Sequence, residues 1–283
     1  MGTSGSSNGP GPGVPFDPPW LDNIETPHPG DGQPQDIQMP DDADMGNGQS
    51  KPSPQPLDIA PPRRFSNARR AMGEFARTGS KDAFRRAVGH YSHTGMGGAK
   101  SAANRMRISV RSGASAFSFL QAAREKTDTT INDWVDSLIK RNASAQEIAD
   151  EIVRRTTPSG GSQDEVACQE SMAYALEDIL SKDPDVDLLK LNDDSIWSLI
   201  ESFLGYEAFH RLSLDIGQVF EDSTLSPRDR VTRMKEMRDY LKAEIRVQVE
   251  ALRSNTRHAT SVQLRSMLQD ALENTFTVYE GSI

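Results

Sequence analysis

Proline is concentrated at one end of this chain, and that distribution constrains the fold more than any other feature of the sequence. Of the 17 prolines, 14 lie between Pro10 and Pro62, and the rest of the chain contains only three. Proline lacks the backbone donor that helices and sheets require. Bulky apolar residues are also few there, so burial cannot offset the entropy lost on ordering. The sequence predicts a disordered tail over residues 1–62 and a folded part that begins near Arg63.

Charge divides the chain into three blocks. Residues 1–62 hold nine acidic residues and one base, Lys51, for a net charge of −8. Residues 63–111 hold twelve bases and two acids, for a net charge of +10, and the remainder has a net charge of −11. The overall charge of −9 therefore conceals one strongly basic segment. Local potential, rather than the total, decides which partners such a segment attracts.

Apolar spacing after residue 62 follows the period of the α-helix, and strand-like alternation is nearly absent. Capping-box patterns begin at Thr130, Ser144, Ser162 and Ser226. The predicted helices span 64–77, 81–93, 99–111, 114–125, 131–141, 145–156, 163–181, 194–204, 206–220, 227–254 and 261–278. The predicted fold class is all-α, a multi-helix domain over residues 63–283. Either one bundle or a basic part (63–142) beside an acidic part (143–283) is compatible with the pattern.

The single cysteine, Cys168, excludes an internal disulfide and fits a reducing compartment. No apolar run approaches the length that a bilayer requires, and the first residues lack the features of a secretory signal. A cytoplasmic protein without a membrane partner is expected.

Three motifs contain residue types that are found in chemical sites. His90 and His93 are too few ligands for a structural zinc site. The stretch from Gly95 to Ser101 resembles a phosphate-binding loop, but Thr94 and Ala99 occupy the required glycine positions, which indicates a turn between helices. Cys168 is more typical of a packed helical cysteine than of a nucleophile. No catalytic residue, metal site or cofactor is predicted, and the chain is expected not to be an enzyme.

The basic segment is the stronger candidate for a binding site. Its predicted interaction face consists of Lys100, Arg105, Arg107 and Arg111. Two partners fit such a face, a nucleic acid or an acidic protein surface, and the scarcity of exposed aromatic residues favours the protein. The nucleic-acid alternative extends over residues 63–111.

The N-terminus is the last candidate. Removal of Met1 exposes the amine of Gly2, and Ser6 completes the minimal pattern for N-myristoylation. The acidic residues that follow oppose binding to anionic lipid. A glycine amine without a side chain is better suited to enter the active site of another enzyme, and a terminus with no function is the simpler alternative.

Several stretches resemble one family. They are the opening Met1-Gly2-Thr3-Ser4, the run to Pro18-Pro19-Trp20-Leu21-Asp22, the segment from Gly89 to Met106, and the residues from Gly113 to Leu120. In these residues the chain is similar to QatB, a component of the Qat anti-phage defence system of bacteria. The resemblance covers about the first 125 residues, and the C-terminal half contributes no motif.

The resemblance implies a setting and a role. Qat systems combine QatB with an ATPase, a QueC-like enzyme and a TatD-like nuclease. QueC chemistry converts a 7-deazaguanine carboxylate into a nitrile with ATP, and related QueC-like enzymes are thought to couple the deazaguanine to an N-terminal glycine of a partner. Gly2 is the position that would receive it here. The resemblance therefore implies a non-enzymatic defence component with the ATPase and the QueC-like enzyme as partners.

Overall fold

The computed structural model describes residues 60–221, 225–253 and 259–283. The tail predicted over residues 1–62 lies almost wholly outside the described residues. Helices account for 82% of the described residues and no strand occurs among them, so the all-α prediction is confirmed. The α-helices are α1 (Ser66–Thr78), α2 (Lys81–His90), α3 (Ala99–Asn104), α4 (Arg107–Glu125), α5 (Thr129–Lys140), α6 (Ala145–Thr156), α7 (Gln163–Lys182), α8 (Asp193–Ile216), α9 (Pro227–Arg253) and α10 (Ser261–Glu280).

Local start signals explain where most of these helices begin. The capping boxes of Ser144 with Glu147 and of Ser162 with Glu165 are both formed, at the starts of α6 and α7. Each box satisfies two backbone N–H groups that a helix terminus otherwise leaves without a partner. The signal predicted at Thr130 is wrong, because the Asp128 carboxylate instead accepts from Ile131 N and α5 begins earlier.

Two predicted breaks between helices are wrong. Residues 112 and 113, predicted to separate two helices, lie inside α4. The chain turns earlier, between Asn104 and Arg107. Gly205 does not separate two helices, because α8 continues through it from Asp193 to Ile216. A Cβ atom at Gly205 would overlap the Lys242 side chain and lie 3.0 Å from its Cα. The glycine therefore permits the close approach of α8 and α9 rather than ending a helix.

Helix α8 is the centre of the bundle. Its core positions include Ile196, Phe203 and Leu212, and it packs against α4, α7 and α9. Helix α10 is the second organising element, since it packs against α2, α3, α4 and α9 and so joins the end of the chain to its basic segment. One continuous hydrophobic cluster links all of these helices.

One carboxyl group is buried between α8 and α9 without full compensation. Glu201 is 6% exposed, its Oε1 atom has no hydrogen-bond partner, and Arg246 Nε lies 3.8 Å from Oε2. Burial and the nearby Glu250 carboxylate raise the pKa of Glu201 to about 7, although the cations of Arg246, Arg253 and Lys182 act in the opposite direction. The folded protein therefore retains a proton on Glu201 that the unfolded chain releases at lower pH.

We expect this carboxyl group to make the protein less stable as pH rises. The folded-state pKa is about 7 against an ordinary value of 4.5, so stability should fall as pH rises between these two values. Glu201→Gln should remove this loss of stability, and its free energy of unfolding should exceed that of the wild type by up to about 3 kcal/mol near pH 8. At pH 4 the two proteins should be equally stable. Urea denaturation at both pH values measures the difference, with the exposed Glu177→Gln as control. A constant difference at both pH values would contradict the assignment.

Candidate interaction face

The structure places the four residues of the predicted basic face on two consecutive helices and on the turn between them. Lys100 is exposed in the first turn of α3, and Arg107 and Arg111 lie one turn apart on α4. Arg105 lies in the turn between these two helices and acts electrostatically on Asp215 of α8. Arg107 and Arg111 are therefore together on α4, and Arg105, two residues earlier, also interacts with Asp215.

The carboxylate of Asp215 is partly buried and has several polar and charged neighbours. The Tyr91 hydroxyl donates to Asp215 Oδ2 at 2.9 Å, and Arg69 Nη2 donates to the Asp215 carbonyl oxygen at 3.0 Å. Burial raises the pKa of Asp215, although the Tyr91 hydrogen bond and the cations of Arg211, Arg105 and Arg64 lower it. Helices α1 and α8 and the turn between α3 and α4 thus contribute polar and charged groups to one place.

The chain enters the bundle beside this cluster. Phe65 stacks on Tyr91 with ring centroids 5.6 Å apart, and Arg64 is buried next to it. Tyr91 begins a π-helical turn that ends at Gly95, where a Cβ atom would lie 2.6 Å from the Phe65 ring. Such turns open a helix locally, and this one accommodates the Phe65 ring. The start of the described chain is therefore fixed beside the π-helical turn between α2 and α3.

Arg211 connects this cluster to a second polar group in the core. Its Nη1 atom lies 2.6 Å from Asp164 Oδ1, and its side chain is 7% exposed. Burial by itself lowers the pKa of Arg211, but Asp164, Tyr91 and Glu207 together raise it above the ordinary value. The folded structure therefore favours the charged guanidinium.

Glu207 lies on the other side of Arg211 and is 2% exposed. It accepts hydrogen bonds from Ser109 Oγ and, at 2.8 Å, from Ser171 Oγ. Ser171 Oγ is also 2.9 Å from His210 Nδ1. Although serine, histidine and glutamate are neighbours here, Ser171 is fully buried, so substrate has no access to its hydroxyl. The arrangement satisfies polar groups inside the bundle.

Arg107 and Arg111 are joined by a third arginine that sequence reasoning missed. Helices α4 and α10 pack side by side, and burial together with the cations of Arg107 and Arg265 lowers the pKa of Arg111. Arg107, Arg111 and Arg265 are called the arginine seam below. Arg265 is far away in sequence, and the helical stripe predicted for α10 identified only its apolar face.

Uncharged polar side chains border the arginine seam at both ends. Gln269 Nε2 donates to Asn104 Oδ1 at 3.3 Å, and Ser118 Oγ lies 3.4 Å from Ser261 Oγ. The order of these pairs shows that α10 runs antiparallel to the chain from the end of α3 through α4, and Arg107, Arg111 and Arg265 lie between the paired residues in sequence. Guanidinium, amide and hydroxyl groups together suit an anionic partner with several charged oxygens.

The other sequence candidates lie in structural positions. Cys168 is fully buried in α7, as predicted, and donates to Ser112 Oγ at 3.4 Å, and burial raises its pKa to about 12. Since the thiolate is the reactive form, both burial and the raised pKa disfavour reaction at Cys168. The glycine-rich stretch is a turn between helices, as expected, with Gly97 and Gly98 at positive φ before α3.

The two histidines of the sequence motif differ in exposure. His93 is exposed and His90 partly buried. No group of three His, Cys, Asp or Glu side chains within the described ranges is arranged to hold a metal ion. None of the helices described is both long and apolar enough to cross a bilayer. Gly2 lies outside the described residues.

Comparison with known proteins identifies the family. The family model described as "Qat anti-phage system associated protein QatB" matches residues 97–279. This match includes the stretches from Gly97 to Met106 and from Gly113 to Leu120, and it extends through the C-terminal half, where the sequence alone contributed no motif. No curated protein and no solved structure matches the chain. The match covers well over half of the sequence, so the chain belongs to the QatB family and is a component of the Qat anti-phage defence system.

Proposed function

We propose that this chain is a non-enzymatic, cytoplasmic component of a defence complex, and that its N-terminal glycine, Gly2, is covalently modified by a QueC-like partner. The modifying group would be of the 7-deazaguanine type. Membership of the QatB family is the observation that carries the proposal, together with the sequence Met1-Gly2-Thr3-Ser4. The ATPase and the QueC-like enzyme of the same system are the proposed partners.

The α-amine of Gly2 is chemically suited to this reaction. Attack requires the neutral amine, and an α-amino group has a reference pKa of roughly 7.7–8.0, against roughly 10.4 for a lysine side chain. Glycine also brings no side chain that would hinder approach. With a carboxylate activated by ATP, a C–N bond forms, the bond from carbon to the ATP-derived leaving group breaks, and the amine loses a proton. With a nitrile, the amine adds across the C≡N bond and an amidine results.

The positions of the candidate nucleophiles support a role without catalysis. Cys168 is buried with a pKa of about 12, and Ser171 is fully buried beside Glu207. Both groups are explained by packing and by hydrogen bonds inside the bundle. The chain is then a scaffold that supplies a substrate terminus and docking surfaces.

We expect Gly2 to be modified when the protein is expressed with its QueC-like partner, and Gly2→Val to abolish the adduct. The valine side chain hinders approach of the amine and opposes removal of Met1. Digestion with a protease that cuts before aspartate yields the peptide of residues 2–16, which mass spectrometry can measure. The mass increase equals the acid less one water for an amide, and the whole nitrile for an amidine.

Gly2→Ala is the matched control for this experiment. Alanine permits removal of Met1 and adds only one methyl group, so partial modification is expected. An unmodified Gly2 peptide in cells where the defence is active would refute the modification and leave the scaffold role alone.

The alternative is that the protein binds nucleic acid through residues 63–111. The observation that favours it is the arginine seam, although Arg265 lies outside that range. Binding to phosphates would weaken steeply with added salt, because each contact releases condensed counterions. A shallow salt dependence, or none, would exclude this alternative.

A further inference from the structure

Folding brings three like charges together at the arginine seam. Arg107 and Arg111 are four residues apart on α4, a spacing at which equal charges repel, and Arg265 is added from α10. Amide and hydroxyl groups of Asn104, Gln269, Ser118 and Ser261 border them. An anionic ligand at this seam would interact with three cations at once, and the bordering groups would add hydrogen bonds.

The seam begins where the described chain enters the bundle. Ala60 and Arg64 are both buried, and Arg64 and Arg105 act on the same carboxylate of Asp215. Arg105 is only two residues before Arg107. Arg64, which follows Ala60 by four residues, is therefore electrostatically close to Arg105, two residues before the arginine seam.

The sequence before Ala60 has the opposite charge. Residues 17–58, called the acidic segment below, hold nine acidic side chains and a single base, Lys51. We propose that the arginine seam binds the acidic segment of the same chain. Attachment through a short linker gives such a segment an effective concentration in the millimolar range. An untethered polyanion has no such advantage.

The net charge of the rest of the protein opposes anions in general, and the covalent tether is what favours the acidic segment. Residues 112–283 have a net charge of −11 and repel anions. At physiological ionic strength charges interact over about 8 Å, so the acidic segment gains most at the local cluster of cations. A free nucleic acid would meet the same repulsion and would also have to displace the tethered segment. An acidic partner protein would compete in the same way.

The test is cleavage of the full chain by a protease that cuts before aspartate, which has sites at Asp41, Asp42 and Asp44. In low salt, the variant Arg107→Glu, Arg111→Glu, Arg265→Glu should be cleaved there several-fold faster than the wild type. The rates should converge in high salt. A control with the same charge change at exposed positions, Lys140→Glu, Arg228→Glu, Lys235→Glu, should behave like the wild type at each salt concentration.

A neutral variant keeps the test decisive if the glutamates disturb folding. Arg107→Gln, Arg111→Gln, Arg265→Gln removes the cations without adding repulsion and should also be cleaved faster. Equal cleavage of the wild type and both seam variants in low salt would overturn the proposal. If the seam variants instead lose binding to a fluorescent single-stranded DNA while cleavage is unchanged, the seam is a nucleic-acid site and the proposal is likewise overturned.

Discussion

Arg211→Met should destabilise the protein by about 3–5 kcal/mol, the range observed when one partner of a buried ion pair is removed. Methionine keeps much of the volume but leaves the Asp164 carboxylate without the guanidinium that lies 2.6 Å away. The carboxylates of Glu207 and Asp215 lose the same nearby cation. Urea denaturation followed by helical circular dichroism measures the change in the free energy of unfolding.

An exposed ion pair is the matched control for this substitution. Arg154 is 68% exposed and pairs with Glu151 on the same helix. Arg154→Met should cost less than about 1 kcal/mol, because solvent screens such pairs and their side chains lose entropy on pairing. Arg211→Lys should fall between the two, since it keeps the charge but loses the planar fork. If Arg211→Met were as stable as Arg154→Met, Arg211 would not be the link between the two polar clusters.

Gly89→Ala should be the second severe substitution, although it exchanges a poor helix former for the best one. A Cβ atom at Gly89 would lie 2.5 Å from the carbonyl oxygen of Tyr279 and 2.9 Å from Ile283 Cγ2. The first obstacle is backbone, so α2 and α10 must separate. Overpacking of this kind typically costs about 1–3 kcal/mol and sometimes more. The melting temperature and the urea midpoint should both fall.

Gly73→Ala provides the opposite result in a similar setting. Gly73 also lies inside a helix, but a Cβ atom there meets nothing within 4 Å. The substitution should therefore stabilise the protein by about 0.5–1 kcal/mol, the difference in helix propensity. Two glycine-to-alanine changes would then have opposite signs. A stabilising Gly89→Ala would show that α2 and α10 are not in close contact.

Local patterns in the sequence predicted the helices well, and features that depend on distant contacts were missed. The helix over 145–156 was predicted with its observed bounds, because the capping box at Ser144 is a local signal. Gly205 was misinterpreted as a break because its role depends on Lys242, on another helix. The same limit applies to the candidate site. Arg107 and Arg111 are neighbours on one helix, whereas Arg265 reaches them only through the packing of α10 on α4.

Because Cys168 is buried between α7 and α4, the reactivity of its thiol can report how often these two helices separate. The chain contains no other cysteine, and a thiol with a pKa of about 12 is essentially all protonated near neutral pH. A thiol-specific reagent can then modify the native protein only during the intervals in which α7 separates from α4. When reclosing is faster than modification, the labelling rate reports the equilibrium population of open molecules. The effect of Arg211→Met on the separation of α7 from α4 can therefore be measured in the native protein, without denaturant and without an added probe site.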